Sequence, residues 1–312
     1  PVDYGYYIKH LYFSLNNPTP FKKFKLKDID YYLFKECFIE NANFILDKDQ
    51  NTIINSNGND YKSLNIGIIG NGFVGKATER LLGLLDTTFD IQIEDPDKDY
   101  VIEDWNGIQY AFICVPTNLK DGILDNSIID NILSNLYVGV IPVIRSTVGP
   151  DQCIEYSKKG CIIMPEFLRE KHWEEDVDDP NIDIIIGHRN YDDFVDLMSC
   201  GPKFVKPVAP VEASMMKLLR NAALAVKVGL ANDFKNICDG YDIDYEAIKE
   251  FLEADPNLGG THWAVPGPDG KYGFGGTCLP KDLTHASSLL YNEHNIMKTA
   301  LEANKDRRDN DK

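Results

Sequence analysis

From Ser63 onward, short apolar runs alternate with longer stretches of helical spacing. The runs at 66–69, 89–93, 110–115, 140–144, 161–164 and 182–186 predict buried strands, since a strand covered on both faces loses the polar alternation of a half-exposed one. Segments 75–85 and 126–135 between them carry helical spacing, and strands alternating with helices predict βαβ units around a parallel sheet. After about residue 205 the strands stop. Ala213 to Cys238 is one long helical pattern, with Met216, Leu219, Ala223, Val226 and Leu230 on a single stripe, and shorter helices are expected at 244–253, 281–292 and 295–306.

Residues 1–62 break this rhythm. They carry eight Lys and eight Asp or Glu, so the whole net charge of -17 falls after residue 62. Tyr and Phe crowd the segment, among them Tyr4, Tyr6, Tyr7, Tyr12, Phe13 and Phe21, which argues against a disordered tail. Asn41 to Ile54 reads as a hairpin around a polar turn, followed by the turn-rich 55–60. The segment is an N-terminal extension whose role the sequence does not reveal.

One turn in the alternating region carries chemistry. Ile66-Gly67-Ile68-Ile69 leads into Gly70-Asn71-Gly72-Phe73-Val74-Gly75 and then a helix. A G-x-G-x-x-G match is weak alone; here it ends a predicted strand, opens a helix and precedes a second strand ending in acid. Such glycines allow a tight turn, close approach of a pyrophosphate and close helix–strand packing, with the phosphates at the helix N-terminus. Asp95, with Glu94 as the alternative, follows at the distance expected of the acid that hydrogen-bonds the adenosine ribose, and an acid there favours NAD over NADP. The expected fold class is therefore α/β: a Rossmann-type NAD-binding domain over 63–205, then a helical central domain over 206–312 with one long helix.

Charge and cysteine usage remove other possibilities. A net charge of -17 argues against nucleic acid as a partner. No apolar run approaches the ~20 residues of a membrane helix, and the start lacks a signal-peptide pattern. The seven cysteines form no CxxC pairs, which fits a reducing, cytoplasmic compartment and disfavours zinc or any other metal.

Several loops gather reactive side chains. Cys114-Val115-Pro116-Thr117 and Arg145-Ser146-Thr147-Val148 follow predicted strands, and in an open parallel sheet such loops lie at the carboxyl edge where ligands bind. Met164-Pro165-Glu166-Phe167-Leu168-Arg169-Glu170 adds two carboxylates there. Lys217 and Asn221 lie four apart on one face of the long helix, where burial would lower the lysine pKa and suit it to proton transfer. Gly273-Phe274-Gly275-Gly276-Thr277-Cys278-Leu279-Pro280-Lys281-Asp282 sets one cysteine between a glycine-rich loop and a Pro-Lys-Asp tail. Lys281 is close enough in sequence to favour the thiolate, the form that attacks carbonyl carbon.

Taken together, GNGFVG, the CVPT and RSTV loops, PEFLRE, Lys217-x-x-x-Asn221 and GFGGTCLPKD resemble the nucleotide-sugar dehydrogenases, the UDP-glucose/GDP-mannose dehydrogenase family, in family order across roughly 65–306. The resemblance implies a four-electron oxidation at C6 of a nucleotide sugar using two NAD⁺ in turn, with UDP-glucose favoured and GDP-mannose the alternative. Cys278 would carry a thiohemiacetal and then a thioester. Lys217 and Asn221 would supply proton transfer and oxyanion donors, and Asp282, Thr147 and Glu166 are candidates for activating the hydrolytic water. Cofactor contacts would come from Gly70, Asn71, Gly72, Phe73, Val74, Gly75, Asp95, Val115, Pro116, Thr117, Ser146, Thr147, Glu170 and Lys281. Phe167, Leu168, Arg169, Phe274 and Gly275, with Lys217 and Asn221, would contact the sugar nucleotide, partly through backbone. The long helix would mediate a homodimer.

Two departures stand beside the matches. Pro256-Asn257-Leu258-Gly259 replaces the family's usual Pro-Arg-Ile-Gly, whose arginine reaches the neighbouring subunit's sugar site. The family also continues into a second Rossmann-like domain that holds the nucleotide base and has no counterpart in these residues. A β-hydroxyacid dehydrogenase, which needs no cysteine, and a catalytically weak NAD-binding partner subunit are the competing expectations.

Overall fold

The computed structural model describes residues 44–47, 52–55, 64–292 and 295–310. In the N-terminal extension, β1 (Phe44–Asp47) and β2 (Thr52–Asn55) pair antiparallel with Phe44 opposite Asn55, the pairing expected for the hairpin there. The remaining expectations for the extension lie outside the described residues.

From Leu64 the chain builds a seven-stranded sheet. Its strands are β3 (Leu64–Ile69), β4 (Phe89–Glu94), β5 (Ile108–Ile113), β8 (Ile141–Ile144), β9 (Ile162–Ile163), β10 (Ile184–Gly187) and β11 (Val205–Val208). A small hairpin, β6 (Leu119–Lys120) with β7 (Ile123–Leu124), stands apart from it. The spatial order is β11-β10-β9-β8-β5-β3-β4. Strands β3, β4, β5, β8 and β9 run parallel, as expected, but β10 meets β9 antiparallel, and β10 and β11 are parallel to each other. Strand β11 lies just where the strands were expected to stop. Its VKPV run is half-exposed and contains Pro207, which a sheet tolerates at its edge, where this strand sits.

Period-two alternation along the inner strands feeds a core on each face. Ile66, Ile68, Phe112, Val143, Ile162, Ile184 and Ile186 point to one side, against α1 (Phe73–Gly83) and α5 (Asp192–Met198). Ile69, Ala111, Ile113, Ile144, Ile163 and Ile185 point to the other, against α2 (Ser127–Asn135) and α3 (Pro150–Lys158). A short α4 (Trp173–Asp178) precedes β10.

The long helix α6 runs from Pro210 to Gly240. Pro210 at its first position needs no hydrogen-bond acceptor, and the Glu212 carboxylate accepts from the Ala209 N–H at 2.9 Å. Its start abuts the sheet at Gly187, where a Cβ would lie 2.7 Å from the Pro210 Cα. Helices α7 (Tyr245–Ala254), α8 (Cys278–Ser288) and α9 (Ile296–Asn310) follow. Leu218, Ala222, Ala225 and Val228 of α6 pack with Phe274, Leu283 and Ala286. The buried face of α6 thus coincides with the stripe read from the sequence only in part: Met216 and Val226 pack against the core, and Leu219, Ala223 and Leu230 do not. The stripe leaves Leu219 49% and Leu230 44% exposed, while the covered face is built from small residues that let helices approach closely, with Lys217 and Asn221 set into it. No described helix is long and apolar enough to cross a membrane.

Candidate active site

The chain leaves β3 for β4 on one side and returns to β5 on the other, so the carboxyl ends of β3 and β5 flank a topological switch point, the usual ligand crevice of such sheets. The glycine loop Gly70–Gly75 opens there. Gly70 takes φ +95°, and a Cβ on it would lie 2.6 Å from the Cys114 carbonyl oxygen; one on Gly75 would lie 2.0 Å from the Gly70 oxygen. The protein itself therefore demands these two glycines. Gly72 differs: a Cβ there meets nothing within 4 Å, so the space beside the start of α1 is open to a ligand. Phe73 and Val74 form the first turn of α1.

Asp95 closes this corner. Its Oδ2 accepts the Asn71 N–H at 2.8 Å and sits 3.2 Å from Lys98 Nζ, while Lys98 also donates to the Asn71 carbonyl. Burial alone would push the Asp95 carboxyl up, but the Asn71 N–H and Lys98 outweigh it and hold it below the usual range. Asp95 is thus the acid that reaches the glycine loop, and Glu94 enters it through its backbone, whose carbonyl accepts the Gly70 N–H at 2.7 Å.

The CVPT and RSTV loops are laced together at the same sheet edge. Thr117 Oγ1 donates to the Thr147 carbonyl at 2.8 Å and Ser146 Oγ to the Val115 carbonyl at 2.6 Å. Thr117 and Ser146 are buried, Val115 and Thr147 half-buried, and Pro116 is exposed.

The PEFLRE loop meets α6 in a sealed ion pair. Lys217 Nζ lies 2.6 Å from Glu166 Oε1, and both side chains are buried. Glu166 Oε2 accepts the Leu168 N–H at 2.6 Å. Burial would raise the Glu166 carboxyl; Lys217, the Leu168 N–H and Arg145 more than reverse this and hold it low. The Phe167 ring lies near both Lys217 and Arg220, at 6.0 and 5.7 Å. Arg169 turns its guanidinium onto Asp176, with Nη2 2.6 Å from Oδ1, and Glu170 is exposed at the start of a short 3-10 turn.

One turn along α6, Asn221 Nδ2 donates to Asp282 Oδ2 at 2.7 Å, and Asp282, fully buried, accepts on its other oxygen from Lys281 Nζ at 2.7 Å. Cys278 occupies the first position of α8, half-buried, with Thr277 Oγ1 3.7 Å from Sγ. Its thiol is pushed up by burial first; Lys217 and the Thr277 contact pull it down, and Glu166 and Asp282 push it up again. Two expectations change here. Lys281 turns to Asp282 and away from the thiol, leaving Lys217 as the cation that pulls the thiol down. The net shift is upward, because burial outweighs Lys217 and the Thr277 contact, and so away from the expected thiolate.

Phe274 is also placed differently from the expectation of a backbone contact to substrate. Its ring is in the core, its N–H donates to Asn304 and its carbonyl accepts from Asn304. Gly275 is covered on its Cβ side by Arg308, which pairs with Asp269 at 2.6 Å. Arg145 belongs to the RSTV loop expected at this edge, whereas Asn232 and Asn304 carry no mark in the sequence. Arg145 is buried with its charge beside Glu166, and the two asparagines hold the cysteine loop. A mid-helix Asn carries no signal until its neighbours are known.

Comparison with known proteins bears on the same residues. Residues 211–306, from α6 to α9, match the central domain of the UDP-glucose/GDP-mannose dehydrogenase family. A UDP-glucose 6-dehydrogenase of Rickettsia felis is 31% identical over 200 residues, covering 58% of this chain and 43% of that protein. Its counterpart in Rickettsia bellii is 28% identical over 264 residues, covering 75% and 59%. The chain thus spans about half the length of these relatives. In fold it is similar to a UDP-glucose dehydrogenase of Pyrobaculum islandicum, with TM-score 0.65, 21% identity, and 78% of this chain and 68% of that one covered.

Proposed function

We propose that this member of the UDP-glucose/GDP-mannose dehydrogenase family oxidises a nucleotide sugar at C6 to the uronic acid, with UDP-glucose the favoured substrate and GDP-mannose the alternative. The observation that carries this reading is that α6 sets two buried pairs one turn apart, Lys217 on Glu166 and Asn221 on Asp282, the second reaching the first turns of the helix that Cys278 opens.

The crevice fits a dinucleotide. Gly72 leaves open the space that a pyrophosphate would fill at the start of α1, and the Asp95 carboxylate, ionised and anchored to the loop, is set to accept from a ribose hydroxyl. NAD, when bound, would take the hydride at each of the two oxidations. Val115, Pro116, Thr117, Ser146, Thr147, Glu170 and Lys281 are the further candidates for contacts to it.

The chain's own residues have the following roles in this reading. The Lys217–Glu166 pair and Asn221 orient the C6 oxygen and stabilise negative charge on it, and the pair takes up the hydroxyl proton. Cys278 sulfur forms a C–S bond to the aldehyde carbon, and its proton passes to the new hydroxyl. After the second oxidation the carbon is held as a thioester. Water then adds its oxygen to that carbon, the C–S bond breaks, and the thiol is regenerated as the carboxylate leaves. Asp282, Thr147 and Glu166 are the candidates for activating that water. Phe167, Leu168 and Arg169 are the candidates for contacts to the sugar nucleotide.

Residues 63–205 are read as the cofactor domain and 206–312 as the helical domain that carries the cysteine. The exposed Leu219 and Leu230 of α6 support a homodimer through that helix, and the scattered cysteines and absence of any CxxC support a cytoplasmic protein. An assay of NADH formation against UDP-glucose, GDP-mannose and UDP-N-acetylglucosamine tests the reading. UDP-glucose should give the highest kcat/KM. NAD binding with no turnover on any of the three would favour the partner-subunit alternative.

A further inference from the structure

We propose that Asn232 and Asn304 are positioning residues for the Cys278 thiol, fixing the backbone of the loop that delivers it; this role rests on the reading of Cys278 as the nucleophile. Asn304, on α9, makes a two-point contact with the backbone of one residue. Its Oδ1 accepts the Phe274 N–H at 2.7 Å and its Nδ2 donates to the Phe274 carbonyl at 3.0 Å, as a neighbouring strand would. Asn232, on α6, accepts the Gly273 N–H at 2.8 Å and donates to the Val228 carbonyl at 2.8 Å. Asn232 is 1% and Asn304 8% exposed, so every polar atom of both amides is buried and partnered.

The loop is shaped to receive them. Gly273 takes φ +76°, and a Cβ on it would lie 2.3 Å from Asn304 Oδ1, so glycine is required by conformation and by the closeness of the amide. Next to the two asparagines, Arg307 of α9 pairs with Asp233 of α6, tying the same two helices a second time. The stretch Gly273-Phe274-Gly275-Gly276-Thr277 has little stiffness of its own, being mostly glycine. The sulfur therefore stands where the loop's two ends hold it, with α8 at one end and the clamped backbone of Phe274 at the other. Attack on a carbonyl depends steeply on that placement, and a shift of about 1 Å costs on the order of 10²-fold in rate.

An amide is needed at 304, because the residue must donate and accept at once. Asn304→Asp keeps the shape but sets a carboxylate against the Phe274 carbonyl. In the full chain, we would measure alkylation of Cys278 by iodoacetamide, resolved by peptide mass spectrometry and followed across pH, together with the unfolding midpoint. Leu301→Ala, which removes packing on the same helix against the same core, is the control. Asn304→Asp should change the Cys278 alkylation rate on the order of tenfold while the fold is intact, whereas Leu301→Ala should lower the midpoint and leave the rate and its pH profile unchanged. Wild-type alkylation in Asn304→Asp, or an equal change in Leu301→Ala, overturns the proposal. If Asn304→Asp does not fold, Asn304→Ser is read in the same way; failure of both to fold while Leu301→Ala folds reduces the pair to a fold requirement and equally overturns it. Uronate production by Cys278→Ser would remove the nucleophile reading and leave this alkylation comparison standing.

Discussion

Lys217 on α6 and Glu166 in the loop after β9 form a 2.6 Å ion pair with neither side chain open to solvent. The pair joins the sheet to the helical region beside the one cysteine whose sequence setting marks it as reactive. Burying two charges is costly, so the pair is poor as mere cement and well suited to moving a proton.

Loss of one partner should show this cost. Lys217→Met leaves the Glu166 carboxylate buried without its cation, and chemical denaturation should register a loss of about 3–5 kcal/mol. The pH dependence has a definite sign. The folded Glu166 carboxyl lies below its unfolded value, so its contribution is present above the unfolded value and is lost as pH falls through the folded one. Glu166→Gln should therefore flatten the acid side of the stability–pH curve relative to wild type. Superimposable acid limbs would show that the pair contributes nothing to acid stability.

The glycines of the first loop should separate by cause. Gly75→Ala drives a methyl into the Gly70 carbonyl and should cost about 1–3 kcal/mol or more in folding stability, with or without ligand. Gly72→Ala meets no protein atom and should leave the unfolding midpoint of the ligand-free protein near wild type while weakening NAD in a fluorescence titration. Unchanged NAD affinity in Gly72→Ala would mean that no pyrophosphate lies against this turn.

Asp95→Ala should weaken NAD by roughly 10–100-fold, the worth of about 1.5–3 kcal/mol for a hydrogen bond to a charged group. Isothermal titration checks this, and an unaltered dissociation constant would place the ribose elsewhere.

The legibility of the fold follows burial. Runs such as Ile66–Ile69 and Ile184–Ile186 stand out because both faces of the sheet are covered. Val205–Val208 does not, because an edge strand with a proline and a half-exposed pattern resembles a loop. On α6 the apolar stripe was visible and its burial was not: Leu219 and Leu230 lie outward, and small residues with Lys217 and Asn221 lie inward. At the site, Cys278, Glu166, Lys217, Asn221 and Asp282 could be picked out by residue type and spacing. Their pairing could not, since Lys281 or Lys217 could equally have faced the thiol until the turn of α8 was fixed.

The outward Leu219 and Leu230 lead to a prediction of their own. Leu230→Lys, alone or with Leu219→Lys, should leave circular dichroism unchanged and shift the protein toward monomer in analytical ultracentrifugation. A monomeric wild type, or variants that sediment as wild type does, would exclude α6 as the dimer contact.

The covalent role of Cys278 is the centre of the account, and Cys278→Ser incubated with NAD⁺ and UDP-glucose tests it most directly. NADH and UDP-glucuronate are quantified together. The wild type should yield two NADH for each uronate, whereas Cys278→Ser should stall after the first oxidation and accumulate no uronate. Full uronate production by Cys278→Ser would contradict the thioester route.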